Sequence, residues 1–362
     1  MKEIKNILIF NPFGIGDVLF TTPLIRNLKE NFKNASLVYL CNRRTYPLLK
    51  NNIFLDKVWV FEKDEWRELA RKSKRLLFKA LINFLKKIKK EKFDILFDFS
   101  LNAQYGFFLK LAKIKMRIGF DFKKRGRFLT HRIKLPSGYK DKHVASYYTE
   151  SLKFLGICPK SYKFDLFFPK NYSEEERKLL SIFSLKKDDF LVGVCPGSGD
   201  SWQDTAYFKR WPKEKFLKLC QELQRKMELK IILFGSKQEK ELCDYIFENL
   251  KEKPLNLCGK IDLEEFCVLL SLCKLIITND GGPFHLAQAL NKKVIVFFGP
   301  VDEKVYGAYP EENRNCIIFK KDIFCRPCYK ELKFRGCSFD KKCLREIKVE
   351  DVLSKIEKLL SF

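Results

Sequence analysis

Short, largely apolar runs at 7–10, 37–40, 57–61, 95–99 and 117–120 alternate with longer stretches of helical periodicity at 17–31, 46–51, 66–90 and 102–113. A strand that is apolar at nearly every position is buried on both faces, and a helix between two such strands is the crossover that a parallel sheet requires. The alternation pauses near 161–187. Here 162–169 reads as a crossover strand and 173–183 as a linking helix, opened by Ser173 with Glu176 three residues on, as in a capping box. It then resumes, with strands at 190–195, 230–234, 275–278 and 294–298 and helices at 213–226, 237–250, 263–272 and 283–290, before a final amphipathic helix at 349–360. The chain of 362 residues is too long for one compact core. The pattern predicts an α/β protein of two Rossmann-like parallel-sheet domains facing a cleft. Their bounds are 1–165 and 166–348, with a Cys-rich segment at 316–343 and a closing helix at 349–362. In such sheets ligands bind beyond the carboxyl ends of the strands.

No apolar run is long enough to span a membrane. The stretch 7–10 behind the N-terminus is a short buried strand and not a secretory apolar region, so a cytoplasmic location is expected. Lysine and arginine number 71 against 45 acidic residues, a formal charge of +26. That excess suits a polyanionic or phosphorylated partner, or a solvated lysine-rich surface. Of thirteen cysteines, Cys41, Cys158, Cys195, Cys220, Cys243, Cys258, Cys267 and Cys273 are expected as small buried apolar residues, because nothing points to an oxidising compartment.

Three loops carry the candidate chemistry. After the first strand, Asn11-Pro12-Phe13-Gly14-Ile15-Gly16-Asp17 opens a helix. Gly14 and Gly16 permit a tight turn, but Leu19 stands where a dinucleotide fingerprint needs a third small residue. Asp17 can serve as a general base at the mouth of the site or simply cap its helix. A base there needs burial to offset the helix dipole, which favours the carboxylate. After the strand at 190–195, Pro196-Gly197-Ser198-Gly199-Asp200 and Lys209-Arg210-Trp211-Pro212 can cradle a pyrophosphate, or form an ordinary loop with surface lysines. The most informative segment is Thr278-Asn279-Asp280-Gly281-Gly282-Pro283-Phe284-His285. A strand ends, the chain turns, and Pro283 opens a helix whose first-turn amides suit a diphosphate. His285 lies beside that anion site, where it can bond phosphate or ribose or be satisfied by its backbone neighbours.

In this order the pieces resemble glycosyltransferase family 9, the lipopolysaccharide heptosyltransferases of GT-B fold. The matching residues are Gly16-Asp17 with Thr21-Thr22-Pro23-Leu24, Pro196-Gly197-Ser198 with Lys209-Arg210-Trp211-Pro212, and Leu233-Phe234-Gly235 with Glu239. Asp280 to Ala287 and Phe298-Gly299-Pro300 complete the set. Gly281 departs from it, since the family usually has Thr or Ser there. The resemblance implies an inverting, metal-independent transfer of a heptose or related sugar from ADP-heptose to a lipid A–Kdo or inner-core acceptor. In that reading the first half binds the acceptor near Gly14 and Gly16, with Asp17 as base. The second half binds the donor through Ser198, Lys209, Glu239, Asp280, Gly281, Gly282 and His285, and Lys209 stabilises charge on the departing ADP. No cofactor is then required for catalysis. The alternatives are a GT-B enzyme using another nucleotide sugar, or a basic nucleic-acid-binding protein. The latter lacks any nucleic-acid module and leaves the Asp280–His285 segment unexplained.

Two features lie outside that machinery. Residues 66–90 hold ten Lys or Arg and one acid, with Leu77, Leu81, Phe84, Leu85 and Ile88 on one stripe. This basic amphipathic helix is expected to pack its stripe on the sheet while its lysines attract an anionic inner-membrane face or a phosphorylated, lipid-linked acceptor. Cys325, Cys328, Cys337 and Cys343, with Cys316 nearby, can hold a structural zinc or iron–sulfur cluster, stay reduced, or pair.

Overall fold

The structure is a computed structural model that describes residues 3–198, 200–311 and 313–360. Gly199 of the expected pyrophosphate loop and the last two positions of the expected closing helix lie outside them. The chain divides into two compact units, Met1–Phe167 and Phe168–Phe362.

In the first unit the apolar runs become β1 (Asn6–Phe10), β2 (Ser36–Cys41), β3 (Lys57–Val60), β4 (Ile95–Asp98) and β5 (Met116–Asp121), joined by the edge strand β6 (His131–Lys134). All pairings are parallel, in the order β3-β2-β1-β4-β5-β6. Ile7, Leu8 and Ile9 are fully buried, as a central strand covered on both faces must be. Strand β6 escaped the sequence reading because only Ile133 of its four residues is buried.

The expected helix at 17–31 is two helices, Ile15–Phe20 and Thr22–Asn31. Pro23 has no N–H to offer the Leu19 carbonyl. The Thr22 hydroxyl donates to that oxygen instead, at 2.7 Å, and the Thr21 hydroxyl donates to Val18 at 2.6 Å. The expected helix at 66–90 also breaks, into Lys63–Lys72 and Lys74–Lys90, with Ser73 capping the second. The first of these buries no residue and the second buries only Ile88. Phe84 and Leu85 pack part-buried on the core, while Phe78 is 65% and Leu76 51% exposed. Within the expected stripe Ile88 is buried and Leu77, Leu81, Phe84 and Leu85 are half-buried, whereas Leu76 and Phe78 lie off it.

The expected crossover strand at 162–169 joins no sheet. Its backbone is bound by side chains of the Thr22–Asn31 helix. The Asp165 N–H donates to Thr22 Oγ1 at 2.9 Å, the Ser161 carbonyl accepts from Asn27 Nδ2 at 2.8 Å, and Arg26 forms an ion pair with Asp165. The linking helix is Tyr172–Ile182 with Asn171 at its N-cap and no side-chain cap bond, so Ser173 lies inside the first turn and the expected capping box does not form.

The second unit repeats the plan with β7 (Leu191–Cys195), β8 (Lys230–Leu233), β9 (Leu255–Asn256), β10 (Leu275–Asn279), β11 (Lys293–Phe297) and β12 (Cys316–Phe319). Their order, β12-β11-β10-β7-β8-β9, is that of the first sheet. The hairpin β13 (Tyr329–Lys330) and β14 (Lys333–Phe334) stands apart. The C-terminal helix Val349–Leu360 belongs to this unit's core, with Val352 and Ile356 clustered with Trp211 and Phe297. Trp211 stacks on Phe297 at 4.2 Å and donates its indole N–H to the Ile347 carbonyl. Of the eight cysteines expected inside, seven are buried and Cys158 is exposed.

Candidate functional site

Each sheet reverses direction between its first and fourth strands, and a ligand crevice opens where the loops beyond those strands part. In the second unit these are the loops after β7 and β10. Asn279, the last residue of β10, ties them together. Its amide donates to the carbonyls of Pro196 and Gly197, both at 2.9 Å, and its Oδ1 accepts from the Trp211 N–H at 2.8 Å. Sequence alone gives Asn279 no role. The available signal was a carboxamide at a strand end, able to satisfy buried backbone on two sides at once.

Five of the expected donor residues gather on this frame. Ser198 donates to the Asp280 carbonyl at 3.1 Å, and the Lys209 ammonium lies 2.7 Å from Asp280 Oδ2 with both side chains more than nine-tenths buried. Glu239 is buried and accepts from the Ser236 N–H at 2.8 Å, closing a capping box. Its other oxygen abuts Gly197, where a Cβ would fall 2.0 Å from Oε1, so any side chain there would displace the carboxylate. Arg210, also missed, approaches the same carboxylate at 3.9 Å. His285 is buried in the helix Gly282–Ala289, with Nδ1 3.4 Å from Gln288 Nε2. Burial first and the nearby Lys209 second push its pKa down to about 3, leaving a neutral imidazole that acts by hydrogen bonding and not by charge. Gly281 and Gly282 bring the chain into that helix, and Gly281 is extended, so its backbone does not demand glycine. A buried cation, a helix N-terminus and hydroxyl, carboxylate and imidazole groups are thus gathered in one place, the kinds of group that can bind an anion or a sugar hydroxyl.

The first unit's switch point is built differently. Asn11 donates to the Asp17 carbonyl and accepts from the Phe13 N–H, while Asn42 donates to the carbonyls of Pro12 and Phe13. The loop therefore rests on two carboxamides. Gly14 is the N-cap of the Ile15–Phe20 helix, without a side-chain cap bond, and a Cβ on it would meet the Arg44 guanidinium at 3.6 Å. Because Gly14 holds the cap position, Asp17 is not the N-cap. It lies half-buried in the first turn beyond Gly16. Its charge adds to burial in holding the phenols of Tyr39 and Tyr148 above their ordinary range. The neighbouring strand contributes a residue the sequence reading passed over. Asp98, at the end of β4, is buried and bonded to the N–H and hydroxyl of Ser100, and burial raises its pKa to about 6. It lines a small recess with Asn102, Arg125 and Phe128.

Cys325, Cys328, Cys337 and Cys343 are free thiols, the last one buried. Burial raises Cys343 to about 11, and each of the other three lies close enough to bear on its charge. Among the described residues, however, no group of three or more His, Cys, Asp or Glu side chains is placed to hold a metal ion. The other three thiols all lie near Cys343. Also among the described residues, no helix is long and apolar enough to cross a membrane.

Two parallel six-stranded sheets of this strand order in one chain are the GT-B architecture of glycosyltransferases. The profile of glycosyltransferase family 9 (heptosyltransferase) matches residues 81–338. Lipooligosaccharide heptosyltransferase 2 of Campylobacter jejuni is 26% identical over 98% of both chains. Among solved structures, a glycosyl transferase family 9 protein of Veillonella parvula superimposes with a TM-score of 0.83 at 23% identity, covering 98% of this chain and 97% of that one. The ADP-heptose lps heptosyltransferase II of E. coli does so with 0.75 at 20% identity, covering 98% of each. The chain belongs to glycosyltransferase family 9 and is a glycosyltransferase.

Proposed function

We propose that this glycosyltransferase moves a heptose from ADP-heptose to a lipopolysaccharide inner-core or lipid A–Kdo acceptor, with inversion at the anomeric carbon. The observation that carries the reading is the buried set Ser198, Lys209, Glu239, Asp280 and His285 at the switch point of the second sheet. The names of the relatives supply the sugar, since the structure named for its ADP-heptose activity has this fold. In this reading Lys209 and the first-turn amides at Gly282 hold the diphosphate, Glu239 accepts from a ribose hydroxyl, and neutral His285 bonds a phosphate or ribose oxygen. The acceptor belongs to the first unit. Asp17 takes the proton from its hydroxyl as that oxygen bonds to the anomeric carbon. The bond from that carbon to the diphosphate breaks, and ADP leaves with the electron pair, its charge countered by Lys209. These groups carry the transfer without a metal. The enzyme works on the cytoplasmic side of the membrane that bears its acceptor.

The same reading gives the Lys63–Lys72 and Lys74–Lys90 helices a task. Their lysines and arginines surround the exposed Leu76 and Phe78, the composition of a segment that rests on an anionic lipid face.

The test is transfer itself, with ADP-heptose and a Kdo–lipid A acceptor. The expected products are an acceptor heavier by one heptose, with inverted linkage, and one ADP. Consumption of a UDP- or GDP-sugar in its place would move the donor. Consumption of no nucleotide sugar would overturn the reading.

A further inference from the structure

We propose that the β13–β14 hairpin of the Cys-rich segment positions the donor-site cation: Tyr329 and Phe334 clamp Trp202, and Trp202 in turn fixes the Lys209 ammonium. The inference rests on Lys209 being the donor's diphosphate cation.

Tyr329 and Phe334 are register partners across the hairpin, so their rings emerge side by side on one face. Both meet Trp202. Tyr329 stacks on it at 5.2 Å and 30°, and Phe334 lies at 5.0 Å and 40°. The indole face then lies 4.9 Å from the Lys209 ammonium, within the range where a ring attracts a desolvated cation. Lys209 is thus held from two directions, by Asp280 at 2.7 Å and by the Trp202 ring. The hairpin also grips the chain next to Lys209. Phe334 contacts Phe208 at 5.3 Å, and beyond the hairpin the buried Lys341 ammonium lies 3.5 Å from the Tyr207 ring centroid.

With two residues in each strand the hairpin cannot stand alone. It is anchored to the sheet side of the site by the N–H groups of Cys328 and Tyr329, which both donate to the Pro300 carbonyl at 2.9 Å. Arg326 adds bonds to the carbonyls of Gly299 and Val301 and an ion pair with Glu303. The loop after β11 therefore carries the hairpin, the hairpin carries Trp202, and Trp202 limits where Lys209 can point. A long, flexible lysine needs such a restraint, because its ammonium has no preferred direction of its own.

The experiment measures ADP affinity by calorimetry, and kcat and KM for the donor, in the full-length enzyme. The variants are Phe334→Ala, Tyr329→Leu, Trp202→Leu, Trp202→Phe and Lys209→Ala, with the Phe334→Ala/Lys209→Ala double variant. Phe334→Ala and Trp202→Leu should each weaken ADP roughly tenfold and raise KM more than they lower kcat, and Trp202→Phe should recover most of the loss. In the Lys209→Ala background, Phe334→Ala should cost nothing further, because the residue acts through Lys209. Tyr329→Leu gives the same readout should Phe334→Ala not fold. Equal ADP affinity in folded Trp202→Leu and Tyr329→Leu variants would overturn the clamp, as would a full additional loss in the double variant. If Lys209→Ala itself left ADP binding intact, the donor reading would fail, whatever the hairpin does.

Discussion

In both units the chain doubles back between the first and fourth strands of a sheet of the same order, and in both the loops beyond those strands hold the candidate chemistry. The second unit fills that position with a mesh. Asn279 laces three segments, Lys209 and Asp280 form a buried ion pair, and Glu239 sits tight against Gly197. The first unit leaves Asp17 half-buried at the head of a six-residue helix. Topology thus selects where a site can be, and side-chain burial decides what it can hold. A mesh suits a ligand of fixed charge such as a diphosphate, whereas a looser rim suits an acceptor that must present one hydroxyl.

The largest expected effects separate the two units by which step they touch. Asp17→Asn should cut kcat by about 10²–10⁴-fold while ADP binds as before, because a general base acts only in the transition state. Lys209→Ala should cut kcat/KM by about 10²–10³-fold and weaken ADP as well. It should also lower stability by about 3 kcal/mol, since the buried Asp280 carboxylate loses its partner. Steady-state kinetics, calorimetry and denaturant melts check these. If Asp17→Asn lost ADP while Lys209→Ala kept it, the assignment of the two units would be reversed.

A smaller contrast lies in the glycines. Gly197→Ala would push a methyl group to 2.0 Å from Glu239 Oε1. It should cost about 1–3 kcal/mol in a melt and raise the donor KM. Gly14→Ala meets only the flexible Arg44 at 3.6 Å and should cost less than about 1 kcal/mol.

Much of this plan was legible before the structure. Buried parallel strands announce themselves as apolar runs, and the Asp280–His285 turn carries its strand end, glycines and helix-opening proline within a few residues. What escaped depended on distant partners. The run at 162–169 looked like a strand, but its backbone bonds to side chains of the Thr22–Asn31 helix. Ser173 and Glu176 have capping-box spacing, yet Asn171 starts the helix earlier. Asn279 and Asp98 draw their importance from burial at a sheet's switch point, which no local pattern encodes. The spacing of the four late cysteines says nothing of how their segment is held, which is by rings against Trp202 and by backbone hydrogen bonds to Pro300.

A change of pH should act on the two units in opposite senses. His285 falls to about 3 in the folded chain from an ordinary 6.5, so the unfolded chain binds its proton first. Its contribution is complete above 6.5 and shrinks as pH drops toward 3. Asp98 rises to about 6 from 3.8, so its contribution is complete below 3.8 and is lost as pH rises through 6. Asp98→Asn should therefore stabilise the protein near pH 8 by about 2 kcal/mol and lose that advantage near pH 4. His285→Gln should flatten the loss of stability on acidification. Melts across that range would contradict the picture if both variants moved the curve in the same direction.

The smallest effect concerns the exposed Leu76 and Phe78 beside the stripe. Phe78→Ser should weaken binding to anionic vesicles about threefold, and raised salt should weaken it in the parent protein, with kcat on a soluble acceptor unchanged. Binding to neutral vesicles at undiminished strength would contradict an electrostatic surface contact.

The central claim is that the second unit's buried mesh is an ADP-sugar site served by a base in the first. Titrating ADP, UDP and GDP into the parent protein, Asp17→Asn and Lys209→Ala tests it most directly. The account predicts that ADP binds best, equally well to the parent and Asp17→Asn, and at least about tenfold more weakly to Lys209→Ala. Equal binding of all three nucleotides, or ADP binding indifferent to Lys209, would contradict it.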